Sequence, residues 1–257
     1  MNGTVASTGD RAGSVAVVTG GGRGFGKSFG EALAAEGAHA VLVDRDGAEA
    51  EAAAAAIRAA GGSATGYAGD VTDEARMAAI MAEAAAAQGG IDLLINNAGL
   101  HSDEYSQPIA AMGVAKVRRL FDVNVMGTVI ATLAAKPYMA GRAGANIVNI
   151  SSSAAHMGGT AYGTSKLAVA GLTITFAREL APEGIRVNAI SPGLILTDTI
   201  RNELPEATKV RVKAMQYLDA FGEEADIVEA MLFLSSARAR FVTGETLRVT
   251  GGMAAGI

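Results

Sequence analysis

The strongest constraint on this chain is its regular alternation of short apolar runs with helix-length segments. The runs are SVAVVT (14–19), AHAVLVD (38–44), GSATGYAGDV (62–71), IDLLINNAG (91–99), ANIVNISS (145–152), IRVNAISPG (185–193) and TLRVTGG (246–252). Most are apolar at successive positions rather than at every second one, which marks strands buried on both faces. Between them, 24–36, 46–60, 73–88, 125–135 and 166–180 have the length and Ala-rich composition of helices. Strands separated by helices predict an α/β fold. The expected form is a doubly wound, seven-stranded parallel sheet with helices on both faces.

The chain has 257 residues and only 5 prolines, with no linker, repeat or shift in composition. One domain over 14–257 is expected, preceded by a flexible N-terminal tail at 1–13 that has neither the basic start nor the apolar middle of a signal peptide. A net charge of −5 without a basic block argues against a nucleic-acid partner. The absence of cysteine excludes disulfides, thiolate chemistry and Cys-based zinc sites, and His39, His101 and His156 lie too far apart to suggest a metal site. No apolar run approaches the ~18 residues of a membrane span, so a cytoplasmic protein is expected.

Residues 15–30, VAVVTGGGRGFGKSFG, fit two phosphate-binding patterns. Gly21, Gly26, Lys27 and Ser28 satisfy G-x-x-x-x-G-K-S, the nucleoside triphosphate loop. Thr19, Gly20, Gly24 and Gly26 satisfy T-G-x-x-x-G-x-G, a dinucleotide loop. Both use glycines to bring backbone close to phosphate at a helix N-terminus. Asp44 ends the second strand 18 residues after Gly26. That spacing suits an acid that binds the adenosine ribose of a dinucleotide.

Further motifs stand at the ends of later strands: GDV (69–71), NNAG (96–99), VNV (123–125), ISS (150–152), YGTSK (162–166) and SPG (191–193). In YGTSK, Tyr162 and Lys166 are one helical turn apart and share a face. In this order the motifs resemble the short-chain dehydrogenase/reductase family from about Ser14 to Met253. The resemblance implies a Rossmann-like domain and hydride transfer between a nicotinamide and an alcohol/carbonyl pair. The triphosphate-loop match then becomes coincidence, with Lys27 an ordinary helix residue.

The resemblance implies a catalytic set of Asn124, Ser152, Tyr162 and Lys166. Tyr162 is the general acid/base, and a neighbouring ammonium at Lys166 is expected to lower its pKa. Lys166 also holds the nicotinamide ribose. Ser152 fixes the substrate oxygen, with Ser151 the alternative, and Asn124 supports a proton path. Ser152 precedes Tyr162 by 10 residues, fewer than is usual in the family, so the intervening loop is shortened. The cofactor site implied comprises Gly20, Arg23, Gly24, Phe25 and Gly26 at the pyrophosphate and Asp44 and Arg45 at the ribose. Asp70 and Val71 flank adenine, Asn97, Ala98 and Gly99 line the adenosine side, and Ile190, Pro192, Gly193 and Thr197 border the nicotinamide.

Asp44 favours NAD over NADP, because its charge repels a 2′-phosphate; Arg23 and Arg45 argue the other way. His101, Ser102, His156, Met157 and a lid over 194–218 are expected around a small alcohol or carbonyl substrate. The helix at 166–180 carries two apolar stripes, one with Leu167 and Ile174 and the other with Val169 and Phe176. A second face needs a second partner, so a homo-oligomer, dimer or tetramer, is expected. Three other readings compete. A non-catalytic dinucleotide sensor is disfavoured by the complete catalytic set. An NADPH-dependent 3-oxoacyl carrier-protein reductase would need a basic mouth. A phosphotransferase would need Lys27 on phosphate.

Overall fold

The computed structural model describes residues 11–101, 103–196 and 206–253. Seven strands form one parallel sheet in the order β3-β2-β1-β4-β5-β6-β7. They are β1 (Val15–Thr19), β2 (His39–Asp44), β3 (Ser63–Ala68), β4 (Leu93–Asn96), β5 (Asn146–Ile150), β6 (Arg186–Pro192) and β7 (Thr246–Val249). The helices are α1 (Gly24–Ala35), α2 (Gly47–Ala59), α3 (Glu74–Gln88), α4 (Ile109–Phe121), α5 (Gly127–Met139), α6 (Ala154–Met157), α7 (Ala161–Leu180), α8 (Glu206–Lys213) and α9 (Glu224–Leu234). The expected α/β architecture is therefore present. The order reverses between β1 and β4, the place where the connections of an open α/β sheet leave a crevice at the strands' C-terminal ends.

Alternate strand residues serve opposite faces. Val15, Val17, Leu94, Ile147 and Val187 enter one core with Met77, Ile80, Phe176 and Leu180 from α3 and α7. Ala16, Val18, Ile95, Val148 and Ile190 enter the other, with Phe29 and Leu33 of α1 and Ile227 and Met231 of α9. Ile190 is wholly buried there, so it cannot border a nicotinamide. Upstream of Ser14, Arg11 bonds Glu36, the Leu232 and Ser235 carbonyls and the Ser235 hydroxyl. No helix among the described residues is long and apolar enough to cross a membrane.

Between α4 and α5, Asp122–Met126 form a π-helical turn. Such a turn inserts an extra residue into the helical ladder. It carries Asn124, which is 1% exposed. At the far end of the site, α8 is held at its C-terminal side where the Tyr217 and Leu218 amides donate to the Gly251 carbonyl at 2.8 and 3.0 Å. Ile195 bridges Gly222. Ser102 and Thr197, both expected at the site, lie outside the described residues, as does the central part of the expected lid.

Candidate active site

The glycine loop joins β1 to α1 at the crevice. Gly20 and Gly24 have φ of +64° and +50°, which favours glycine at both. A Cβ on Gly26 would lie 1.9 Å from the Gly20 carbonyl oxygen, so helix and loop touch backbone to backbone. Asn97 holds the loop from the opposite strand: its Nδ2 donates to the Thr19 and Gly20 carbonyls, both at 3.1 Å. The Thr19 hydroxyl accepts from the Asn97 and Ala98 amides. Asn97, read as lining adenosine, is thus also the tie between β4 and the loop. At the α1 N-terminus Arg23 makes no side-chain cap bond. The first amides of the helix therefore face the crevice without a side-chain acceptor, which suits an anion.

Asp44 stands beside this loop at the tip of β2. One carboxylate oxygen accepts from Gly22 N at 3.1 Å and the other from Asp46 N at 3.0 Å. These two bonds fix its plane and leave lone pairs free for hydroxyls. Asp70 accepts from the amide and hydroxyl of Thr72 and pairs with Arg119 at 3.5 Å. Burial acts against its charge, yet the Thr72 bonds and Arg119 hold its carboxyl below the usual range. Val71 is buried against Gly127, where a Cβ would approach it to 2.6 Å. Gly193 donates to the Val249 carbonyl at 2.8 Å, and Pro192 is buried beside it.

Lys27 points away from the loop. Its ammonium pairs with Glu31 at 3.2 Å, both side chains being over 40% exposed. Exposed i,i+4 pairs of this kind contribute about 0.3–0.5 kcal/mol. Lys27→Ala should therefore leave nucleotide binding within about twofold and cost no more than about 0.5 kcal/mol; a calorimetric titration and a melt check both. A large loss of binding would restore the triphosphate reading.

The acid–base cluster sits where β5 meets α7. Thr160 caps α7 by accepting from Gly163 N at 3.0 Å, which sets Tyr162 in the first turn. Gly163 is a close approach: a Cβ there would lie 2.5 Å from the Ala154 carbonyl oxygen. The shortened loop thus becomes one helical turn, α6, pressed onto the start of α7. After it, Gly158 and Gly159, at φ +70° and +89°, turn the chain back. Ser152 reaches Tyr162 by this route, and its hydroxyl lies close enough to the phenol to favour the phenolate. Ser151 is spent elsewhere, donating to the Lys166 carbonyl at 2.8 Å.

Lys166 is 5% exposed and donates to the Ile150 carbonyl at 2.8 Å. Burial lowers its pKa to about 8. Tyr162 is pushed up by burial, with the Ser152 bond opposing. This corrects the expectation that Lys166 brings Tyr162 down. The ammonium lies 5.9 Å from the ring centroid and faces a carbonyl, and desolvation of the phenol wins. A lysine whose folded pKa lies below its unfolded one costs stability while charged. That cost fades as pH rises from about 8 toward 10.5. The stability of wild type minus that of Lys166→Met should then rise across this interval, measured by denaturant melts at several pH values; a flat difference would contradict the burial.

Asn124 ties the cluster to the NNAG loop. Its Oδ1 accepts from Leu100 N at 2.7 Å, and its Nδ2 donates to the Leu100 carbonyl and the Ser165 hydroxyl at 3.1 and 3.0 Å. A Cβ on Gly99 would lie 3.2 Å from the Lys166 ammonium and 3.3 Å from Asn124 Oδ1, so glycine there permits the close approach. The four residues expected to be catalytic therefore meet in one place, at the same C-terminal edge of the sheet as the uncapped helix and, two strands beyond β4, Asp44. His101 follows on the same loop, near enough to Lys166 and Arg23 that burial and both charges lower its pKa.

Residues 14–208 match the family model of the short chain dehydrogenases. The chain belongs to that family. A short-chain reductase protein, NovJ of Streptomyces niveus, is 37% identical to this dehydrogenase over 248 residues, 93% of each chain. A 3-oxoacyl-[acyl-carrier-protein] reductase, FabG of Staphylococcus aureus, is 35% identical over 93% of this chain and 97% of its own. Among solved structures, a 7α-hydroxysteroid dehydrogenase complexed with NADH and 7-oxo glycochenodeoxycholic acid superposes with a TM-score of 0.89 at 31% identity, covering 98% of both chains.

Several residues of this short chain dehydrogenase's site had no sequence signal of their own. Arg119 reaches Asp70 from 49 positions away, and Ser165 supports Asn124 from 41. Ser28 bonds Glu224 of α9 at 3.0 Å. An acid 196 residues distant is not visible from the loop.

Proposed function

We propose that this short chain dehydrogenase interconverts an alcohol and a ketone using a nicotinamide dinucleotide, NAD in preference to NADP. The observation that carries the reading is the meeting of Ser152, Tyr162 and Lys166 beside an α1 N-terminus that no side chain caps. Gly20, Arg23, Gly24, Phe25 and Gly26 would hold the pyrophosphate, Asp44 and Arg45 the adenosine ribose, and Asp70 through Val71 and Asn97 through Gly99 the adenosine. Lys166 would hold the nicotinamide ribose, with Pro192, Gly193 and Thr197 bordering the ring. The bound cofactor supplies the hydride acceptor or donor. In reduction Tyr162 gives its proton to the forming alkoxide; in oxidation it takes the proton from the alcohol. Ser152, whose oxygen accepts from Ala154 N at 3.2 Å, keeps its hydrogen for Tyr162 or the substrate oxygen.

Asp44 supports NAD, since both its oxygens are already fixed by amides and cannot swing away from a 2′-phosphate. The 7α-hydroxysteroid dehydrogenase, solved with NADH, agrees in kind. Calorimetric titration with NADH, NADPH and ATP–Mg²⁺ tests the reading. NADH should bind tightest. An NADPH preference would put Arg23 and Arg45 in control and favour the 3-oxoacyl reductase reading, which the 35% identity to a FabG supports. Binding of ATP alone would sink both.

The protein is further proposed to act as a homo-oligomer. Val114 on α4, Leu133 on α5, and Leu167 and Ile174 on α7 are 53–74% exposed. A groove of roughly 590 Å³ runs along α4 between Ile109 and Phe121, broken by a kink at Gly113. A second copy would cover this apolar face. A monomeric mass by sedimentation would exclude it.

A further inference from the structure

We propose that His156 is a positioning residue for the catalytic serine, acting through the buried hydroxyl of Ser191. The proposal rests on the dehydrogenase reading above only for its consequence in turnover.

The β5–β6 ladder runs past the end of β5, with Ser151 N donating to the Ile190 carbonyl at 2.7 Å and Ser153 N to the Pro192 carbonyl at 2.8 Å. The Ser152 carbonyl lies outside this ladder: it accepts from Ala155 N at 3.0 Å at the start of α6 and from the Ser191 hydroxyl at 3.3 Å, so Ser191 of β6 ties the backbone of Ser152 where it leaves the sheet. Ser191 is 0% exposed, so no water competes for this bond. The hydroxyl's remaining partner is His156, whose Nε2 lies 3.2 Å from Ser191 Oγ. With the hydroxyl donating to the Ser152 carbonyl, it accepts from the imidazole, and this arrangement assigns the His156 proton to Nε2.

The chain His156–Ser191–Ser152 closes a ring through α6. His156 lies in the turn that begins right after Ser152, so its side chain staples that turn to β6. The turn is the shortened loop between Ser152 and Tyr162; its backbone bonds back to Ser152 and Ser153 and presses on α7, and the histidine adds a side-chain tie to β6. Burial and the charge of Arg248 on β7 both lower the pKa of His156, which favours the neutral ring. Arg248 pairs with Ser191 in the strand register, which places it beside the histidine. Nε2 donates in both protonation states, so the staple holds across the neutral pH range.

The effect to measure is on the Ser152–Tyr162 bond, which stabilises the phenolate. Tyrosinate absorbance is read by stopped-flow pH jump in the full-length protein, before alkaline unfolding. Subtracting the Tyr162→Phe signal isolates Tyr162. Ser152→Ala should raise its midpoint by about one pH unit, the size of a hydrogen bond to an ionised group. His156→Ala should raise it by about half as much, and His156→Gln, whose Nε2 amide also donates, should restore it. NADH affinity should stay within about twofold in the His156 variants, because the residue touches none of the loop that holds phosphate.

A His156→Ala midpoint equal to wild type, with Ser152→Ala shifted, overturns the proposal. So does a His156→Gln midpoint no closer to wild type than that of His156→Ala, since any structural disturbance would then explain both. A wild-type protein that binds no NADH defeats the dehydrogenase reading instead, and leaves the midpoint comparison intact.

Discussion

Tyr162→Phe should cut turnover of a responsive ketone by about 10²–10⁴, the usual worth of a general acid. NADH affinity should change by less than a factor of about three, far below the tenfold that corresponds to about 1.4 kcal/mol. The ring keeps its packing, since Tyr162 joins a small apolar cluster with Met112, Leu120 and Ala161 that a phenylalanine fills equally well. Only the hydroxyl goes, and with it the proton that the alkoxide needs. The site has no ready substitute. Ser152 is a weaker acid, and Lys166 donates to the Ile150 carbonyl at 2.8 Å. Burial pushes the phenol up, so it stays protonated through the neutral range and suits the reducing direction. Steady-state kinetics at saturating NADH, with calorimetry alongside, would check this. A variant within about tenfold of wild type, where general acid catalysis is worth at least 10², would take the acid–base role from Tyr162.

The second large effect is expected at Gly26. Its Cβ position lies 1.9 Å from the Gly20 carbonyl oxygen and 2.7 Å from Asn97 Nδ2. Neither neighbour can yield. Gly20 O is backbone in a positive-φ turn, and Asn97 is itself bonded to the Thr19 and Gly20 carbonyls. Gly26→Ala must push α1 away from the loop. Overpacking of this kind costs about 1–3 kcal/mol of stability. The displaced helix amides should also lose more than about 100-fold in NADH affinity, since phosphate binding depends on their aim. Gly24→Ala makes a control. Nothing lies within 4 Å of its Cβ, and only the φ of +50° resists. It should cost about 1 kcal/mol and much less affinity. Thermal melts and NADH titrations of the two variants separate the cases. If Gly26→Ala binds NADH within tenfold of wild type, the loop does not hold phosphate as described.

Much of this was legible in the sequence because it rests on short-range signals. Consecutive apolar residues announced the strands, since a parallel sheet covered on both faces admits no alternation. Tyr162 and Lys166 showed their shared face through a spacing of one turn. The third strand was overextended in the reading. It ends at Ala68: the Gly69 amide makes the last bond to β2, at the Asp44 carbonyl, and Asp70 turns to the amide and hydroxyl of Thr72. Helices α4 and α9 carried no comparable signal and were not anticipated. Helix α4 is interrupted by Gly113 at φ +75°, which breaks its period.

The sequence by itself determined the strands, the glycine loop, Asp44 at a strand tip, and the shared face of Tyr162 and Lys166. Each depends on a few neighbouring residues, whose sterics and periodicity act locally. Only the tertiary structure decided how these parts are poised. It bonded the Ser151 hydroxyl to the Lys166 carbonyl and set Ser152 toward Tyr162. It turned Lys166 toward Ile150, so that burial and not the ammonium governs Tyr162. It set Asn97 to hold the loop and Ser191 to meet His156. These outcomes depend on the strand order, which brings together residues tens to hundreds of positions apart. They depend also on desolvation, which a residue acquires only when the chain closes around it.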